Sequence, residues 1–167
     1  MNFREEIQKR ILIGEGAMGT LLYTTGVDQC YEELNLINPQ LVRGIHQAYV
    51  QAGAEIIQSN TYGANHFKLK RYGLEDQVSS INREGIKIAR SAAGDNCFVF
   101  GTIGATRNLR NSDMTIEEIK RSFREQLFSL LIENPDGILL ETYYDFEEME
   151  EVLKIARKET SLPIIAN

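Results

Sequence analysis

Gly14-x-Gly16-x-x-Gly19 has the glycine spacing of a dinucleotide cradle, and it lies between a short apolar run and a stretch able to open a helix. A pyrophosphate site offers backbone N–H groups and a helix N-terminus to negative charge, so an acid inside the loop works against it. Glu15 is such an acid. The pattern also asks for an acidic residue about 20 positions further on, at the end of the next strand. Glu32 and Glu33 stand near that distance, but in YEELNLINP, a loop ahead of a helix, so the nucleotide reading fails on context. A carboxylate beside free amides suits a zwitterion instead. Glu15 can hold an ammonium while the amides of Gly16, Ala17, Met18 and Gly19 hold a carboxylate, which together describe a free amino acid. The plainer alternative is a glycine-rich strand-to-helix turn carrying an exposed Glu.

Further polar groups follow other apolar runs. Ser59-Asn60-Thr61-Tyr62-Gly63 follows the second, Gly101-Thr102-Ile103-Gly104 ends the third, and Glu141-Thr142-Tyr143-Tyr144 ends the fourth. In a barrel of parallel strands such positions converge on one rim, where catalytic groups gather. Asn60 and Thr61 have the competing role of capping the turn that follows them. Glu141 closes an apolar strand, where an unpaired carboxylate is costly, so a ligand or cation partner is expected for it.

The elements that must carry these residues are legible as a βα alternation. Residues 11–14, 54–59, 97–103, 137–141 and 162–166 are short runs rich in Ile, Val and Phe and read as buried parallel strands. Asn38-Pro39 starts a helix whose face is marked by Leu41, Ile45, Tyr49 and Ala52 before Gly53 stops it. Residues 74–93 form another, with Val78, Ile81, Ile88 and Ala92 inward. Thr115-x-x-Glu118 is a capping box ahead of Ile116, Ile119, Phe123, Leu127 and Leu130, and Asp145 precedes a helix striped by Phe146, Met149, Leu153 and Ala156. The order implies an α/β architecture, and the spacing permits a doubly wound sheet as well as a (β/α) barrel.

Composition excludes several classes. With 167 residues, 43% hydrophobic and 25% charged, the chain suits one ordinary domain. No run approaches the roughly 18 apolar residues of a membrane span, and the opening MNFREEIQKR is no secretion signal, so no membrane partner and a cytoplasmic location are expected. A net charge of -6 without a dense Lys/Arg stripe argues against nucleic acid. Cys30 and Cys97 are too few for a disulfide framework and read as ordinary buried thiols. His46, among Arg43, Gln47 and Gln51, and His66, in ANHFKLK, lack metal-ligand neighbours and read as solvated surface side chains.

GEGAMGT, CYEELNL, YVQAGAEIIQSNTYGAN, and GTIGAT followed by GILLETYYD are together similar to the N-terminal part of homocysteine S-methyltransferase domains. That family includes the homocysteine module of cobalamin-dependent methionine synthase and the betaine- and S-methylmethionine-dependent enzymes. It also includes bacterial proteins fused to a methylenetetrahydrofolate reductase, toward which the overall likeness leans. The resemblance implies a TIM barrel that moves a methyl group from a donor to the sulfur of homocysteine, making methionine, with zinc holding that sulfur as a thiolate. A free thiol, with a pKa of about 8.5, is mostly protonated at neutral pH, and coordination removes the proton. Carried over by position, Glu15 stands where the family usually has Asp, Ala17 and Met18 offer amides to the substrate carboxylate, and Glu141 meets the ammonium. Asn60 and Thr61 match an Asn-Thr pair at the rim.

The family's zinc ligands are cysteines after the sixth strand and an adjacent pair after the eighth, and neither Cys30 nor Cys97 matches those positions. Residues 1–167 are therefore expected to be the first five βα units of a (β/α)8 TIM barrel, lacking the last three strands, with no catalytic or metal-ligating residue of their own and no methyl transfer alone. Zinc is expected only in a longer enzyme, with FAD and methyltetrahydrofolate if a reductase follows. Open sheet edges are expected to favour self-association. The alternative is a small non-catalytic α/β module holding an amino acid or a phosphate at the same rim.

Overall fold

The computed structural model describes residues 2–26, 30–95, 97–106 and 114–167. Several helices begin where a side chain answers their free N–H groups. Asn2 accepts from Arg4 N to open α1 (Phe3–Lys9), and Asn38 accepts from Leu41 N, with proline at the first turn, to open α4 (Pro39–Gln51). The Thr115–Glu118 capping box is complete at the head of α7 (Ile116–Leu131), and Asp145 accepts from Glu147 N and Glu148 N at the head of α8 (Phe146–Glu159). Around these lie α2 (Met18–Thr24), α3 (Leu34–Ile37), α5 (His66–Leu69) and α6 (Val78–Ala93).

Four strands, β1 (Ile56–Gln58), β2 (Phe98–Gly104), β3 (Gly137–Glu141) and β4 (Ile164–Ala166), form one sheet in the order β1-β2-β3-β4, every pair parallel. An order that follows the chain without reversal is that of a barrel arc; a doubly wound sheet turns back at a switch point. The spacing alone left that choice open. The first expected strand, residues 11–14, is reduced to a single bridge between Gly14 and Ile56. Ile13 O still accepts from Glu55 N and Ile56 N, and Glu15 N donates to Ile56 O. Ile11 and Ile13 are 89% and 60% exposed, so the run lies at the sheet edge and lacks the two-sided burial that a full strand of this type needs.

Alternation along the strands splits the labour. Ile57, Val99, Ile103, Ile138 and Leu140 pack outward against the helices, in a cluster with Ile86, Phe123, Leu127 and Val152. Ile56, Phe98, Phe100, Leu139 and Ile165 face the other side, where Phe3 of α1 joins them. Phe3 stacks edge-on against Phe98 and Phe100, with centroids 5.3 and 4.8 Å away. The sequence reading assigned no element to these first residues. By the same alternation Glu141, two residues beyond Leu139, belongs to the inner face at the C-terminal end.

Two helix faces differ from expectation. In α8 Phe146 is 82% exposed, while Glu148 is fully buried with Val152, Ile155 and Ala156. In α4 the buried set is Val42, Ile45 and His46, so His46 is a core residue rather than a solvated one. Positions 42, 45, 46 and 49 fit the i, i+3, i+4, i+7 stripe better than the all-apolar set does.

A Cβ at Gly137 would clash with the edge of the Phe100 ring, which is fully buried and packed against Phe3. Gly137→Ala should lower stability by about 1–3 kcal/mol through overpacking, measured by thermal or urea unfolding, and Phe100→Leu in the same chain should recover part of the loss.

Candidate functional site

A cleft of about 460 Å³ opens at the C-terminal ends of the strands, walled by the glycine turn, the end of β1, Thr102 and Glu141. All six residues singled out in the sequence, Glu15, Ala17, Met18, Asn60, Thr61 and Glu141, line it. Their side chains are used in different ways.

The Glu15 carboxylate is only 1% exposed and lies in the wall. Oε1 accepts from Gln58 N at 2.6 Å, and Oε2 lies 3.1 Å from His46 Nδ1. The turn beyond it rests on Tyr49, one helical turn after His46 in α4. A Cβ on Gly16 would meet Tyr49 Oη at 2.8 Å, so glycine is required here by a ring beneath the loop rather than by a phosphate above it. Burial raises the Tyr49 pKa, and the charge of Glu15 adds to the effect. Ala17 opens α2 with no side-chain cap, which leaves first-turn N–H groups at the cleft.

Asn60 and Thr61 knit the rim together rather than capping the turn that follows. Asn60 Nδ2 donates to Tyr31 O at 2.7 Å and to Asn35 Oδ1 at 3.1 Å. Thr61 Oγ1 donates to Thr102 O at 2.7 Å, and Thr61 O accepts from the buried Gln126 Nε2 at the same distance. Glu32 also enters the wall, where its Oε1 accepts from Gly63 N at 2.6 Å.

Glu141 is different. It is half-buried, and among the described residues its carboxylate forms no hydrogen bond or ion pair. Burial raises its pKa above the ordinary value, and the negative charge of Glu15 raises it further. The next residue, Thr142, has φ 57°, a left-handed backbone that costs a β-branched residue on the order of 1–3 kcal/mol. Its N–H donates to Asn167 Oδ1 at 3.2 Å, which helps hold the bend that aims Glu141.

The residues present do not suit zinc. Among the described residues no group of three or more His, Cys, Asp or Glu could hold a metal ion. Cys30 and Cys97 lie in separate apolar clusters, and burial pushes their thiols up to about 12 and about 11, opposite to what a metal thiolate needs. Sequence reasoning placed Tyr49 on the marked face of its helix but gave it no part in this site, and it missed His46 and Gln58 altogether. Counting His46 with the apolar residues of the helical pattern would have placed it beside Tyr49 on the buried face.

Residues 12–167 match the family model described as homocysteine S-methyltransferase. The chain belongs to that family. Among curated relatives, the methionine synthases of Mycobacterium leprae and Mycobacterium tuberculosis are each 28% identical to it, over 92% and 91% of this chain. The chain spans only 14% of either of those proteins. The metallated form of the homocysteine methyltransferase MmuM from Escherichia coli superposes with a TM-score of 0.84 at 23% identity, covering 98% of this chain and 65% of that one. The superposition shows a shared fold, the arc of a TIM barrel. No helix among the described residues is long and apolar enough to cross a membrane.

The raised pKa of Glu141 has a consequence for stability in this homocysteine S-methyltransferase domain. The folded state binds the Glu141 proton more tightly than the unfolded state, so the charged form destabilises the fold at neutral pH, and that penalty fades as pH falls through the raised pKa toward 4.5. Glu141→Gln should therefore raise Tm at pH 7, with the gain shrinking in scans at progressively lower pH.

Proposed function

We propose that this chain forms the amino-acid-binding face of a homocysteine S-methyltransferase, which transfers a methyl group to homocysteine sulfur to give methionine. The observation that carries the reading is Glu141, a half-buried carboxylate with no hydrogen-bond or ion-pair partner among the described residues, in the same cleft as the uncapped first turn of α2. A bound α-ammonium supplies the positive charge Glu141 lacks, and the amides at Ala17 and Met18 receive the α-carboxylate. Glu15 adds negative charge from within the wall, and Asn60 and Thr61 hold the rim in place.

Family resemblance assigns thiolate activation to zinc. The described residues supply no donor set for it, and we place both activation and methyl transfer with residues outside these. What this chain does is fix the substrate's two charged ends. That leaves the sulfur, two carbons further on, free to be presented elsewhere.

Calorimetric titration of the intact protein should show homocysteine binding, weakened roughly ten- to a hundredfold by Glu141→Gln, the range expected for one charged hydrogen bond. Equal binding by the variant would overturn the assignment. We further propose that the chain, as a separate 167-residue polypeptide, self-associates through the outer edge of β4 and the exposed Ile11–Ile13 run. Light scattering should then give a mass above that of one chain, and a monodisperse monomer would refute it.

A further inference from the structure

His46 does not line the cleft; it is fully buried at the centre of α4 with Nδ1 3.1 Å from Glu15 Oε2. A carboxylate only accepts, so Nδ1 is the nitrogen that carries the ring proton. Nε2 is buried and has no hydrogen-bond partner among the described residues; in a neutral ring with its proton on Nδ1 that atom is a lone pair rather than a stranded N–H. The pair is closed from solvent on both sides, the imidazole at 0% exposure and the carboxylate at 1%. Glu15 thus depends on two donors, Gln58 N and His46 Nδ1. Withdrawing one leaves part of a buried carboxylate without a donor, which costs free energy unless the side chain turns away. The charge concerned is felt across the cleft, because it acts on Glu141 and on Tyr49.

We propose that His46 is a positioning residue that holds Glu15 as a fixed anion within the cleft wall, so that Glu15 and Glu141 together attract the substrate's α-ammonium. His46 itself touches no ligand. The inference rests on the ammonium reading of Glu141 and adds to it the residue that keeps the second charge in place.

The test compares three ligands on the intact protein: homocysteine, homocysteamine, which lacks the carboxylate, and γ-mercaptobutyrate, which lacks the amine. His46→Leu removes the donor. It should weaken homocysteine and homocysteamine about tenfold, with γ-mercaptobutyrate unchanged within about twofold. His46→Asn places an amide N–H close to the Nδ1 position and should restore most of the affinity, and Glu15→Gln should reproduce the amine-selective loss if the leucine variant does not fold. Equal weakening of all three ligands would show general damage and overturn the proposal, as would unchanged homocysteine binding. The histidine ¹⁵N spectrum of the free protein reads the His46–Glu15 pairing independently of ligand binding. A protonated Nδ1 and bare Nε2 on His46 support the pairing and the opposite tautomer overturns it, whereas an intact pairing in a protein that binds no homocysteine overturns the functional reading instead.

Discussion

Glu15 carries its carboxylate out of water, and such a group persists only where donors reach it. Gln58 N and His46 Nδ1 are those donors, and the Glu15 N–H is in turn bonded to Ile56 O. One residue therefore ties the opening turn to the end of β1 and to the middle of α4. Tyr49 gives the same turn a floor. Since β1 is in register with β2, and β2 with β3 out to Gly104 opposite Glu141, the position of the turn relative to Glu141 follows from that one anchoring.

The sheet makes this arrangement available by dividing its two faces. Outward residues of every strand are consumed by packing under α6, α7 and α8. Inward residues are aromatic or aliphatic at the N-terminal end, where Phe3 joins them, and polar at the C-terminal end. A period of two residues per repeat is enough to send Leu139 to the floor and Glu141 to the mouth.

The cleft residues engage one another so fully that few polar groups remain for a ligand: Asn60, Thr61, Glu15 and Glu32 each hold a neighbour. Glu141, whose carboxylate has no hydrogen bond or ion pair among the described residues, is carried on a strained bend at Thr142 and raised in pKa by burial. Strain and an unpaired charge destabilise a fold, and they collect where a ligand's binding can offset them. Activating a thiol needs a different environment from the apolar ones that surround Cys30 and Cys97.

Much of this was legible in the residues themselves. The capping box at Thr115, the Asn38-Pro39 start, the apolar runs that became β1 to β4, and the gathering of Glu15, Asn60, Thr61 and Glu141 at one rim all follow from local chemistry and from the rule that parallel strands end together. What the sequence by itself could not determine was how each polar side chain is spent. Glu15 and His46 lie 31 positions apart, and neither has a partner within its own segment. His46 stands among polar neighbours in the sequence, but a helix wedged between a sheet and other helices buries a wide arc, and that arc includes it. The edge run at residues 11–14 likewise has the composition of a strand but pairs on one side only. Composition and periodicity report on a residue's own element, whereas the partner of a buried charge is set by packing between elements, which only the tertiary structure decides.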